Sequence, residues 1–346
     1  MEEVVETQEP ALPPLDPSLA PVLLFYCGRG GADPDEEGDV GGARLVYSIS
    51  KRRLLLAGEV DLLFNDVNWI TPQGWMLTLD PATRSTSLRD PFTTPSRTVA
   101  LPPDTSGLID SSDETTGVIS TPTPADPGCV VLVIHLTNPV LCYCRPGGTR
   151  WLRHEYQPEL LVTNDHCDRD KIIHAVANHT TGASGRFHTC WSDKVATLEF
   201  SPAAPEPTLS ATGIVNTTTP PACFCLERTL VESCGELFGV VFWGTALDGN
   251  NFEVLRVLVE KLEWSSGAWV KAGELGSNRV FFISEDQFGA SLPADEFGFK
   301  ENCIYFCNNY DKGLYVYDME QGTTAMHNPG IEIPDSLGPI LLMPAA

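Results

Sequence analysis

Residues Lys300–Pro329 read KENCIYFCNNYDKGLYVYDMEQGTTAMHNP. Aromatic and β-branched residues alternate with small or polar ones, and Asn and Gly punctuate the runs, which favours strands over helix. A lead-in, Lys300-Glu301-Asn302, precedes an apolar strand from Cys303 to Cys307. Asn308–Gly313 is a polar turn, Leu314–Met319 a second strand, and Glu320-Gln321-Gly322 turns into a third, short one. The stretch is one antiparallel unit.

Cruder copies occur along the chain: an apolar strand, a polar turn with Gly, a second strand, often a Trp. Trp75–Leu79 runs through Asp80-Pro81-Ala82-Thr83 into Ser85–Leu88, and Val140–Cys144 through Arg145-Pro146-Gly147-Gly148 to Trp151. Phe187–Trp191 turns at Ser192-Asp193 into Val195–Phe200. Leu255–Leu262 turns at Trp264–Gly267 into Trp269-Val270, and Ala43–Leu56 is a weaker copy with Lys51-Arg52-Arg53 as its turn. The copies fall near Asp80, Cys144, Leu198, Glu263 and Asp318, roughly 54 to 65 residues apart. Common propeller blades repeat at roughly 40–50 residues. The expected fold is all-β, a propeller of about six antiparallel meanders, six being chain length divided by spacing.

The chain has 346 residues, 42% hydrophobic and 20% charged, with 28 Pro and 29 Gly and no period among them. That suits many short strands joined by turns around a substantial core. The 46 acidic and 22 basic residues give a net charge of −24. Nucleic acid and anionic membrane both require a cationic surface, so neither is expected as a partner. Lys51-Arg52-Arg53 is the one basic run and reads as an exposed turn. No apolar run reaches a membrane span, and the acidic N-terminus MEEVVETQEP does not resemble a secretory signal. A cytoplasmic or nuclear protein is expected. Its 11 scattered cysteines then read as reduced, mostly buried thiols.

Residues 1–20, with Pro10, Pro13, Pro14 and Pro17, read as a flexible leader before a single domain over 21–346. Gly28–Gly42, Asp104–Pro127 and Ser201–Pro221 read as long loops between strands or blades.

Motifs that carry chemistry are sparse. Cys27-Gly28-Arg29-Gly30-Gly31 lacks the P-loop Lys, Gly182-Ala183-Ser184-Gly185 has the wrong spacing for a nucleophile elbow, and HExxH is absent. Cys142-x-Cys144 and Cys223-x-Cys225 each put two thiols on one strand face, where they read as small core residues. His166, Cys167, His174, His179, His188 and Cys190 match no zinc spacing, and Asp33–Asp39 fails the EF-hand pattern. No catalytic residue, metal or cofactor is expected. Two convergent carboxylates would suit a glycosidase-like hydrolase, but no pair among 46 acids stands out. Of the seven tryptophans, most read as packing between sheets; Trp264 and Trp269, flanking a Gly turn, are the candidates for an exposed aromatic surface.

Several segments, in order, resemble the plant KIB-type β-propeller family, Kelch-related and often found C-terminal to an F-box. They are Gln73-Gly74-Trp75, Asp90-Pro91-Phe92-Thr93, Leu101-Pro102-Pro103, Lys300-Glu301-Asn302-Cys303-Ile304-Tyr305-Phe306 and Leu314-Tyr315-Val316-Tyr317-Asp318-Met319. The resemblance spans about residues 20–344. It implies an intracellular propeller that binds a protein partner without catalysis, as the substrate-binding part of a ubiquitin-ligase receptor does. About 20 Pro-rich residues precede the propeller and no F-box is recognisable; the expected link to a ligase is indirect. Other readings are a propeller hydrolase with carboxylates in its channel and a glycan or small-ligand binder using Trp264 and Trp269. Ionisable groups facing the channel would favour the first, an exposed aromatic pair the second.

Overall fold

The computed structural model describes residues 19–27, 43–55, 67–93, 97–109, 115–135, 138–156, 176–177, 185–191, 194–201, 206–213, 224–246, 252–284, 288–307, 313–327 and 339–345. Their strands form six sheets, the blades of a six-bladed β-propeller.

In chain order, β1 (Val22–Cys27), β2 (Ala43–Ser48) and β3 (Arg53–Leu55) belong to blade 1. Blade 2 is β4 (Val67–Ile70), β5 (Met76–Leu79), β6 (Thr86–Arg89) and β7 (Thr98–Ala100); blade 3 is β8 (Thr115–Ile119), β9 (Val131–His135), β10 (Val140–Cys144) and β11 (Leu152–Glu155). Blade 4 is β12 (Val176–Ala177), β13 (Arg186–Trp191), β14 (Lys194–Glu199) and β15 (Thr208–Gly213); blade 5 is β16 (Phe224–Ser233), β17 (Glu236–Ala246), β18 (Phe252–Glu263) and β19 (Ala268–Lys271). Blade 6 has β20 (Arg279–Ser284), β21 (Phe288–Pro293), the helical turn α1 (Ala294–Phe297), β22 (Cys303–Cys307), β23 (Leu314–Asp318) and β24 (Thr323–Met326). The last strand, β25 (Ile340–Leu342), pairs antiparallel with β1 and completes blade 1. The chain's two ends thus close the ring through one sheet.

Turn chemistry sets the hairpins. Asp80 Oδ1 accepts the Ala82 and Thr83 amides, Arg84 N donates to Asp80 O at 2.8 Å, and Arg84 takes φ +57°. Asp318 Oδ1 accepts Glu320 and Gln321 in the same way, with Gly322 N on Asp318 O and φ +65°. At Glu263–Gly267 the closing amide is again that of the fifth residue, at φ +61°. At Asp80 and Asp318 the carboxylate holds the free amides of the turn, at Glu263 it accepts the Ser266 hydroxyl, and in the second and third turns Gly suits the left-handed fifth position.

The paired hairpins read from sequence all form, but at different places in their blades. β5–β6 and β13–β14 are the second and third strands; β2–β3, β10–β11 and β18–β19 are the third and fourth. Third strands begin at Ala43, Thr86, Val140, Lys194 and Phe252, so the repeat is uneven in the structure as well. Two expected loops contain strands: β8 lies within Asp104–Pro127, and β15 within Ser201–Pro221. Thr-rich runs with Gly lack a strong apolar alternation, so their strands come from pairing with β9 and β14. Gly28–Gly42 lies outside the described residues.

Blade 6 is not a simple meander. Its order is β21-β20-β22-β23-β24, and β20 runs parallel to β22 with Phe281 opposite Ile304. A parallel neighbour requires a crossover, here made by β21 and α1. β21 lies against β16 of blade 5; a Cβ on Gly289 would fall 2.5 Å from the Leu230 carbonyl.

The core is divided among the seams between blades. Leu23, Tyr47, Phe282 and Leu341 join blades 1 and 6; Val46, Met76, Phe92 and Leu342 join 1 and 2. Leu77, Leu88, Val133 and Cys142 join 2 and 3; Leu132, Tyr143, Phe187 and Leu198 join 3 and 4. Val195, Leu230 and Trp269 join 4 and 5, and Phe238, Val257, Phe281 and Phe306 join 5 and 6. Leu19 and Ala20 are already buried, with Ser48 Oγ donating to Leu19 O at 2.7 Å. Residues 1–18 lie outside the described part. Among the described residues, no helix is long and apolar enough to cross a membrane.

Candidate interaction surface

The strands nearest the axis are β25, β4, β8, β12, β16 and β21. As sequence they read ILL, VNWI, TTGVI, VA, FCLERTLVES and FGASLP, so among the described residues of these strands the ionisable ones belong to β16. There, Arg228 pairs with buried Glu260 at 2.8 Å and lies 4.7 Å from the Trp269 ring centroid. Glu232 accepts the Gly235 amide, and burial pushes its carboxyl up from the ordinary range.

The family-like motifs are structural parts of the seams. Thr71 Oγ1 donates to Trp75 O at 2.8 Å and accepts Trp75 N, closing a turn in which Gly74 takes φ +81°. Trp75 is fully buried, and its Nε1 donates to Pro122 O of blade 3 at 2.9 Å. Asp90 Oδ1 accepts Phe92 N across Pro91, which turns Phe92 into the seam of blades 1 and 2. Leu101 is buried, Pro102 O accepts Thr86 Oγ1 and Trp151 Nε1, and Pro103 is exposed. Lys300 Nζ reaches Asp318 at 2.7 Å and Glu320 at 3.0 Å. Glu301 accepts Asn278 N, and Asn302, at φ +57°, accepts Leu275 N. Tyr305 stacks on Phe282 and Tyr315 on Phe306, while Tyr317 is partly buried beside the seam of blades 5 and 6.

The two candidate surface tryptophans part company. Trp264 is 48% exposed at the β18–β19 turn, leaning on buried His188 of blade 4, with ring centroids 5.1 Å apart. Trp269 is fully buried beneath Arg228, and a Cβ on Gly239 would meet its ring at 3.3 Å. This corrects the expectation of an exposed pair. β19 alternates, so Trp269 faces blade 4 while Val270 faces out.

Cys142 and Cys144 are buried in the seam of blades 2 and 3, where burial pushes the Cys142 thiol up to about 11 and Cys144 further still. His188 Nδ1 and Thr197 Oγ1 share a 3.0 Å hydrogen bond, and burial lowers its pKa to about 4. His166, Cys167, His174, His179 and Cys223, like the Gly28–Gly31 and Asp33–Asp39 segments, lie outside the described residues.

An open cleft lies where blade 2 meets the outer edge of blade 3. After Leu101-Pro102-Pro103 the chain folds into a tight turn around buried Asp104. Its carboxylate accepts Leu108 N at 2.8 Å and Ile109 N at 2.9 Å and pairs with Arg84, which also donates to Ile109 O. Gly107 closes the turn at φ +62°, and Cys142 Sγ donates to Leu108 O at 3.3 Å, fixing the turn to β10. Between this turn and β11 are two adjoining cavities of about 580 and 250 Å³, both touched by Leu108 and Arg153. His135, Pro139 and Tyr156 line the larger, Asp104, Arg150 and Trp151 the smaller. Among the described residues, His135 Nδ1 has no hydrogen-bond partner. Sequence reading treated Asp104 as the start of a loop and did not single out Arg150 or Arg153. The signal was Asp104-Thr105-Ser106-Gly107, a capped turn after a rigid Pro-Pro pair.

The KIB1-4 beta-propeller family model matches residues 47–318. The chain belongs to the KIB1-4 β-propeller family. No curated protein matches it. Among solved structures, this KIB1-4 propeller is similar to a functionally unknown protein from Desulfotomaculum acetoxidans DSM 771 (13% identity, 93% of this chain and 99% of that one, TM-score 0.39). It is also similar to a Bacteroides fragilis NCTC 9343 protein assigned as a 6-phosphogluconolactonase (9% identity, 93% and 98%, TM-score 0.42).

Proposed function

We propose that this KIB1-4 propeller is a protein-binding module that performs no chemistry of its own, working in the cytoplasm or nucleus. Supporting this reading most is the axial wall: outside β16, the described residues of its strands carry no ionisable side chain that could act as acid, base or nucleophile. On β16, Arg228 and Glu232 are engaged in structural contacts, while the Cys225 and Glu227 side chains lie outside the described residues. Burial of Trp269 also weakens the glycan-binding alternative, since Trp264 then stands alone. Loops and edges of a rigid propeller carry recognition, and the cleft along β11 is such a place. The partner is a protein.

Affinity purification of the tagged chain from plant cells, with and without proteasome inhibition, tests this by mass spectrometry. Specific protein partners are expected. Skp1-like adaptor and cullin among them would place the propeller in a ligase assembly. An empty pull-down, together with turnover of a substrate in hydrolase screens, would sink the reading.

A further inference from the structure

In a chain of net charge −24, the cleft along β11 sets Arg150 and Arg153 beside two carboxylates, Asp104, which is held by Arg84, and Glu155, which lies exposed at the rim. Five described cations elsewhere are held in ion pairs: Arg84 with Asp104, Arg186 with Glu199, Arg228 with Glu260, Lys261 with Glu236 and Lys300 with Asp318 and Glu320. Arg150, at the mouth of the smaller cavity, is exposed and makes no ion pair or hydrogen bond among the described residues. Arg153, shared by both cavities, has a half-exposed side chain whose partner, Glu155, is more exposed still. A solvated pair of that kind is readily exchanged for another carboxylate. Deeper in, the unpartnered His135 Nδ1 lies on the same side.

Lys51-Arg52-Arg53 also lacks carboxylate partners among the described residues, but it lies exposed at the β2–β3 turn, and neither cavity reaches it. At the β11 cleft the cations sit beside a concavity. From Arg150 to Tyr156 the rim follows β11 and the residues on either side of it, at most about 20 Å for six steps of about 3.3 Å, the length of a short extended peptide.

Building on the protein-binding reading, we infer that the cleft between blades 2 and 3 receives an extended acidic segment of the partner, whose carboxylates engage Arg150 and Arg153. A free cation beside a concavity favours an anionic group there. The repulsion of the surrounding negative field means that only an acidic segment matched to this cleft is retained. Arg favours the planar carboxylate because its guanidinium can donate in parallel to both oxygens.

Panning a random peptide library displayed on phage against the full chain tests this. Enriched peptides should share an acidic position, and Arg150→Glu/Arg153→Glu should weaken them by about tenfold or more. Arg150→Ala/Arg153→Ala should weaken them less. Lys51→Glu/Arg52→Glu/Arg53→Glu should leave them bound. Both arginines are exposed, so unchanged thermal melts are expected and check that the fold survives. Enriched peptides that lack acidic residues, or that ignore the Arg150/Arg153 changes, overturn the assignment and leave the protein-binding reading intact. A library that yields no binder overturns the assignment; only with an empty pull-down does the wider reading fall too.

Discussion

Gly74 shows how much one residue can carry. A Cβ there would lie 2.3 Å from the carbonyl carbon and oxygen of Pro344, and the backbone stands at φ +81°. Backbone cannot move aside as a side-chain tip can, so Gly74→Ala should destabilise by about 3 kcal/mol or more. Gly322 shares the left-handed φ but faces open space; Gly322→Ala should cost only about 1 kcal/mol. Urea melts of the two variants separate the clash from backbone strain. His188 makes a second test. Its imidazole titrates near 6.5 when unfolded and about 4 when folded. Between those values the unfolded chain binds more protons, so stability is lost as pH falls through this window, by about 3 kcal/mol in full. His188→Gln should remove that component. It is read as the difference between wild-type and variant stability at pH 7 and pH 4, and equal slopes would refute it. Trp264 and Trp269 look alike in sequence, both beside the same turn. Trp269→Ala should cost about 3–5 kcal/mol and Trp264→Ala well under 1. Similar melting temperatures for the two would contradict their placement. Only packing against Arg228 and Gly239 distinguishes them.

At the scale of elements, indole pins hold blades 2 and 3 together. Trp75 Nε1 reaches from blade 2 to Pro122 O; Trp151 Nε1 reaches back to Pro102 O at 2.8 Å and Thr86 Oγ1 at 3.1 Å. Trp69 Nε1 joins them on Thr115 Oγ1 at 2.9 Å, and a Cβ on Gly117 would fall 2.8 Å from the Trp69 Cβ. Trp151→Phe keeps most of the apolar burial but leaves Pro102 O without the indole donor. About 1–3 kcal/mol should be lost, measured by chemical denaturation. The hairpins themselves were legible from sequence, because Asp80, Glu263 and Asp318 begin turns whose chemistry is local. β8 and β15 were not: Thr and Gly give no alternation, and neighbouring strands supply their hydrogen bonds. The β11 cleft was likewise hidden, because it needs the Asp104 turn and β11 brought together from separate parts of the chain.

For the whole molecule, ring closure decides stability. β25 gives blade 1 its inner strand and places Leu341, Leu342 and Met343 in the core, each no more than 2% exposed. Removing residues 340–346 should therefore open the ring and end cooperative unfolding, seen as a broad melt with a midpoint lower by about 10 °C or more. A sharp, unshifted melt would show that closure does not depend on this strand. What sequence alone determined is the all-β class, a ring of about six units, their hairpins and the family, since alternation and turn chemistry act within a few residues. Only the tertiary structure decided which hairpin takes which place in a blade, that the last strand completes the first sheet, and that β21 slips inside β20. It also decided which of two neighbouring tryptophans faces water. The physical reason is that backbone hydrogen bonds are alike from one strand to the next. Partner choice between strands rests on which side faces interlock across a seam, and those faces come from residues far apart in the chain.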